Sequence, residues 1–234
     1  MKKILCLALA LFIALSLCAC GGVSPKPDPT PTPEPEGISL WVRNAEKRYN
    51  MEYEGFAGYF DSICDGFYGD SVKTILSIIK FEDKDKEISQ KRTEYADKYG
   101  EDWHYTVVDR KETELDEKAC SDFAAELEDV SKKASVLVDA AEKWDEHEWS
   151  DFAESNACTV SEAKKLFNAY KAISEVCRDA KVTKAVELEL TLEFSGSKTK
   201  TAQTTQSDCV YEVNGVFVSE MLLDYSYALI NIVY

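Results

Sequence analysis

Residues 186–194 read Val186-Glu187-Leu188-Glu189-Leu190-Thr191-Leu192-Glu193-Phe194, five apolar side chains separated by three glutamates and a threonine. Successive side chains of a strand point to opposite faces, so this alternation makes a strand with one dry face and one wet face. Such a strand needs neighbours, and the following residues supply them. Ser195-Gly196-Ser197 opens a turn, and a Thr-rich stretch leads to Cys209-Val210-Tyr211-Glu212-Val213. Asn214-Gly215 is a two-residue hairpin signal into Val216-Phe217-Val218. An antiparallel meander is the expected result.

Upstream, residues 102–114 (DWHYTVVDRKETE) carry the aromatic and β-branched content of one more strand. Trp103, Tyr105 and Val107 lie on one face and His104, Thr106 and Val108 on the other. The rest of the chain has helical periodicity. Trp41, Val42, Ala45 and Tyr49, then Phe56, Tyr59, Phe60, Ile63, Cys64 and Phe67, recur at three-and-four spacing with a break expected near Gly55 and Gly58. Ser71 is placed to cap a short helix bearing Val72, Ile75, Leu76 and Ile79, and residues 83–99 form a polar helix ended by Gly100. The longest stripe runs Ala119, Phe123, Leu127, Val130, Ala134, Leu137, Ala141, Trp144. A second, Ala163 to Ala180, follows the capping-box pattern Thr159-Val160-Ser161-Glu162. An acidic loop around residues 145–158 is expected to join them as a helical hairpin, although a heptad-like stripe also suits dimerisation. Residues 221–234 suit a closing helix or a strand equally.

Helices, one strand, helices and then a meander, without βαβ alternation, is an α+β order. It resembles the NTF2-like (cystatin-like) domains of Gram-positive lipoproteins. The resemblance is carried by the strand entered after Tyr99-Gly100, the helix entered at Glu114-Leu115-Asp116-Glu117, the V-E-L-E-L-T-L strand and the Val213-Asn214-Gly215-Val216 hairpin. It implies a cone of helices on a curved antiparallel sheet, here with an elongated helical hairpin, over residues 38–234. Two features depart from that family: the acidic helix pair is long, and Val216-Phe217 stands where Lys-Trp is common.

The first residues look like an address. Met1-Lys2-Lys3 precedes residues 4–19, in which Ser16 alone is polar, and the run ends Leu17-Cys18-Ala19-Cys20-Gly21-Gly22. A membrane span needs about 20 apolar residues, so this shorter run reads as a processed signal. Leu17, Ala19 and Cys20 resemble the lipobox of bacterial lipoproteins. That resemblance implies a signal peptide over residues 1–19, acylation of the Cys20 thiol and a membrane-anchored protein on the extracytoplasmic face. All six prolines fall in PKPDPTPTPEP, residues 25–35. Proline at every second position excludes helix interiors and ladders, so residues 20–37 read as a semi-stiff tether rising about 3.1 Å per residue.

The chain has 27 basic and 43 acidic residues, a net charge of -16 that repels a phosphate backbone and argues against nucleic-acid binding. Residues 111–154 alone hold fifteen acids and five bases, a solvated face or a docking surface for a basic partner. Beyond Cys20 the cysteines are Cys64, Cys120, Cys158, Cys177 and Cys209. Five cannot all pair within one chain, so at most two bridges can form; with no CxxC a metal or redox set is disfavoured, and several of the five read as small apolar core residues.

Recognisable chemistry is sparse. His104 and His147 are the two histidines. Asp102 and His104 share a strand face at i and i+2 and form the candidate acid/base pair, which NTF2-like enzymes place inside the cone. His147 has no second histidine four residues on, so HExxH is absent, and Asp83 to Glu87 lacks the glycine of a calcium loop. GxGxxG, GxxxxGK[ST] and GxSxG do not occur. The leading expectation is a membrane-anchored, non-catalytic binder of a partner protein or a small apolar or peptidic ligand, without cofactor or metal. An enzyme using Asp102 and His104, or an envelope spacer, are the alternatives. The oligomeric state stays open.

Overall fold

A computed structural model describes residues 36–79 and 81–231. The signal, Cys20 and nearly all of the tether therefore lie outside the described residues. Among those described, eight helices and one four-stranded antiparallel sheet form a mixed α+β fold that does not close into a barrel.

The helices are α1 (Ile38–Tyr49), α2 (Gly55–Cys64), α3 (Asp70–Ile78), α4 (Glu82–Tyr99), α5 (Glu117–Ala141), α6 (Glu146–Ser155), α7 (Val160–Arg178) and α8 (Met221–Asn231). The strands are β1 (His104–Glu114), β2 (Val182–Gly196), β3 (Thr199–Val213) and β4 (Val216–Ser219), in the order β1-β2-β3-β4. Asn214 (φ 51°) and Gly215 (φ 83°) take the positive dihedrals that a two-residue hairpin requires, and Val213 pairs with Val216 across them. The Thr-rich stretch is not a link but the first half of the 15-residue β3, matched in register to β2 from Phe194↔Ala202 to Val186↔Val210. Over its described residues, 221–231, the undecided C-terminal segment is the helix α8.

Three local expectations change. The link around residues 145–158 is largely the helix α6. Asp145 accepts the N–H groups of His147 and Glu148, and Glu148 reaches back to the Asp145 N–H, a complete capping box. Trp149 and Phe152 of this helix then pack on Trp144 and Phe167. The helix α3 begins at Asp70 rather than being capped by Ser71, with Gly69 (φ 52°) at its N-cap. The strand β1 starts at His104 and is interrupted between Val107 and Asp109, where a bulge leaves Val108 46% exposed.

Both faces of the sheet are used, at different places. Leu188, Leu190, Leu192 and Val210 share one face and bury against Trp41 and Ala45 of α1. On the other face Ala185, Tyr211 and Val213 join the larger core of α3, α5, α7 and α8. Phe123 stacks on Tyr211 there, centroids 3.9 Å apart and planes 7° from parallel. Helices α5 and α7 approach closely because serines meet at the contact. The Ser131 hydroxyl donates to the Ser174 carbonyl (2.7 Å) and the Ser174 hydroxyl to the Ser131 carbonyl (3.0 Å). Each buried polar atom thereby has a partner. At the sheet's far end Gly100 (φ 109°) and Gly196 let the end of α4 touch the β2–β3 turn. A Cβ on Gly196 would stand 2.4 Å from the Tyr99 carbonyl oxygen.

Candidate functional site

The helix α1 approaches the β1 edge through polar side chains. Glu46 accepts the Val107 N–H at 2.7 Å, and Asn50 accepts the Tyr105 N–H and donates to the Tyr105 carbonyl. These groups substitute for the strand that β1 lacks on its outer side. They fix α1 across the sheet, so Trp41, Ala45, Arg48 and Tyr49 come to line a cleft whose sheet wall is Tyr105, Leu192, Thr204, Gln206 and Asp208.

The opposite wall comes from α2, α4 and α8. Arg92 of α4 donates to the carbonyls of Met51 (2.6 Å) and Tyr53, which holds the connection between α1 and α2 in place. The Phe56 N–H donates to Asp85 at 2.7 Å. The Tyr225 hydroxyl donates to Tyr59, and the Tyr225 ring meets Phe60 edge-on at 5.0 Å. The cleft is half-open and has a volume of about 700 Å³, within the ~300–1,000 Å³ of small-molecule sites. Tyr49, Tyr53, Phe56, Tyr59, Tyr95, Tyr105 and Tyr225 supply much of its surface.

A few polar groups stand among these rings. Arg48 donates to the Ser62 carbonyl (2.6 Å) and lies 5.2 Å over the Trp41 ring, and burial lowers its pKa. Asp208 accepts the Ser219 hydroxyl at 2.9 Å. Burial is the main cause that pushes its carboxyl up to about 6, against the opposing influence of Ser219 and Arg48. No carboxylate lies within ion-pair distance of Arg48 among the described residues, and Asp208 has no basic partner at that distance either. Trp41 is 1% exposed, and its Nε1–H has no acceptor among the described residues. A buried donor left in that state costs about 1–3 kcal/mol.

The Asp102 and His104 pair is not assembled for proton transfer. Both residues are exposed and neither lines the cleft. His104 Nδ1 is 3.1 Å from the Asp102 backbone carbonyl, whereas the Asp102 carboxylate accepts the Ser197 N–H at 2.8 Å. Bonds from Ser197 hold that carboxyl below its usual range. The Asp102 carboxylate thereby fastens the β2–β3 turn. His147 pairs with Asp151 on the exposed face of α6.

No group of three or more His, Cys, Asp or Glu residues able to hold a metal ion occurs among the described residues. Cys64 and Cys177 are buried, and the five described cysteines form no disulfide. None of the described helices is long and apolar enough to cross a membrane. No protein-family model, curated protein or solved structure matches the chain.

Proposed function

We propose that this chain is an extracytoplasmic lipoprotein, anchored through an acylated Cys20, whose folded part binds a small apolar or peptidic ligand without catalysis. The observation that carries the binding reading is the aromatic cleft of about 700 Å³, in which Arg48 and Asp208 stand half-buried without an ion pair among the described residues. Rings give apolar contact area at low entropic cost, and a few fixed polar groups orient a ligand. The finer fold reading, an NTF2-like cone with an elongated helical hairpin, draws support from the antiparallel sheet under α1 and from the pairing of α5 with α7. The anchor rests on the Leu17-Cys18-Ala19-Cys20 pattern and the proline tether.

Two measurements test this proposal. Feeding cells an alkyne fatty acid should label the native protein and leave Cys20→Ala unlabelled. A tryptophan-fluorescence screen of aromatic and peptidic compounds should return ligands that lose at least tenfold affinity in Arg48→Gln. Labelling without binding would leave the anchor and remove the binding function, and binding without labelling would do the reverse.

A further inference from the structure

The two edges of the sheet are treated differently. On β1 the outward N–H groups of Tyr105 and Val107 are bonded by Asn50 and Glu46 of α1. The β3 edge has β4 beside it only from Val210 to Val213. Antiparallel pairing turns alternate residues towards opposite neighbours. Leu115 N–H binds the Ala185 carbonyl, so odd-numbered β2 residues face β1, and even-numbered ones face β3 across Leu192↔Thr204 and Leu190↔Gln206. The odd-numbered β3 residues must then face outward, as the Glu220 N–H bound to the Cys209 carbonyl shows directly. Thr201, Gln203, Thr205 and Ser207 thus present their backbone donors and acceptors along an exposed edge with no strand beside it among the described residues.

Natural proteins usually blunt such an edge with proline, charge or a bulge. Residues 201–207 read Thr-Ala-Gln-Thr-Thr-Gln-Ser, with none of these devices. The edge also borders the cleft: Thr204, Gln206 and Asp208, alternating with the outward residues, line its wall. A chain laid against β3 would therefore send every second side chain towards the aromatic rings. The cleft holds three bases (Arg48, Lys84, Lys91) and two acids (Glu87, Asp208) in a chain of net charge -16. Lys84 is paired with Glu87 at 2.7 Å, whereas Arg48 and Lys91 have no ion pair among the described residues. An acidic side chain flanked by apolar ones complements these features.

We propose that the β3 edge receives an extended peptide as an added strand, with alternate apolar and acidic side chains directed into the cleft. This rests on the ligand-binding reading above and assigns the ligand its class. Main-chain bonds to residues 201–207 supply affinity and the cleft supplies selectivity.

The test uses the full chain and the heptapeptide acetyl-Thr-Phe-Thr-Glu-Thr-Phe-Thr-amide, with N-acetyltyrosinamide as a small aromatic probe that cannot form a strand. Hydrogen exchange read by mass spectrometry should slow at least tenfold across residues 201–207 on adding the heptapeptide. Its analogue with Lys in place of Glu should bind at least tenfold more weakly. Thr205→Pro removes one outward N–H where proline is tolerated, so it should fold with an unchanged denaturation midpoint and lose at least tenfold in heptapeptide affinity. Retention of N-acetyltyrosinamide binding by that variant separates edge from cleft. If N-acetyltyrosinamide binds while the heptapeptide leaves residues 201–207 unprotected, the cleft is a ligand site and strand addition is wrong. If neither probe binds, strand addition falls together with the support for a binding cleft. Protection that appears without peptide and rises with protein concentration assigns the edge to a second copy and overturns the proposal.

Discussion

Asn50 holds both backbone groups of Tyr105, accepting the N–H at 2.7 Å and donating to the carbonyl at 2.8 Å. One side chain thereby imitates a neighbouring strand and joins α1 to the sheet. Asn50→Ala should destabilise the fold by about 1–3 kcal/mol, because two partly buried groups lose their partners. Chemical denaturation reads the loss, and faster hydrogen exchange at Tyr105 would localise it. An unchanged midpoint would show that water replaces the side chain at no cost.

Asp208 makes stability depend on pH. Its folded-state pKa of about 6 lies above the unfolded value of 3.8, so the folded chain holds the proton more tightly and stability falls as pH rises from about 4 to 6. Asp208→Asn keeps an acceptor for Ser219 and removes the charge. After allowance for partial exposure, the variant should gain on the order of 1–2 kcal/mol over wild type at pH 7.5 and nothing at pH 3.5. Urea midpoints for both proteins at the two pH values check the sign.

The Phe123 and Tyr211 stack joins α5 to β3 inside the core. Tyr211→Ala should cost about 3–5 kcal/mol through the cavity it leaves. Tyr211→Phe keeps the ring and should cost less than about 1 kcal/mol. Thermal unfolding distinguishes the two, and equal losses would mean that the hydroxyl, not the ring, matters.

Burial raises the thiol pKa of Cys64 and of Cys177, the latter to about 11, and both are at most 2% exposed. Thiolates are the reactive form, so these two should resist maleimide in the native protein, whereas the more accessible Cys120, Cys158 and Cys209 label first. Peptide mapping after brief labelling tests the order. Rapid labelling of Cys64 would indicate that α2 opens locally.

His104→Ala should leave both stability and ligand affinity nearly unchanged, within about 0.5 kcal/mol, as for other exposed sites without special geometry. A loss of any hydrolytic or isomerase turnover in this variant would revive the acid/base reading that the Asp102 geometry argues against.

The parts of the fold legible in the sequence are those whose signal is local. The alternation from Val186 to Phe194, Asn214-Gly215 and the Thr159-x-x-Glu162 box each depend on neighbours a few residues away. The helix α6 carries an equally local signal, Asp145-x-x-Glu148 ahead of Trp149 and Phe152, which the density of acids around it obscured. The first half of β3 has no apolar alternation at all, because one of its faces is open and the other borders a cleft. The polar part of the site was not legible. Arg48, Asp208 and Asn50 look like ordinary surface residues in one dimension, and only the packing of α1, α2, α4 and α8 around β3 brings the cleft together. Asp102 and His104 stood out by residue type, yet the Ser197 N–H claims the carboxylate.

The sheet's connectivity also sets an order of assembly. The strands β2, β3 and β4 follow one another through short turns and can zip together from the Asn214-Gly215 corner. The strand β1 must find β2 across the whole of α5, α6 and α7. Closing so long a loop is slow, so β1 should be the last strand to dock, with α1 following because its anchors bind β1. Pulse-labelled refolding should show Val210 protected before Tyr105. Until that step the leucines of β2 have no cover, and the nascent chain is most prone to aggregate.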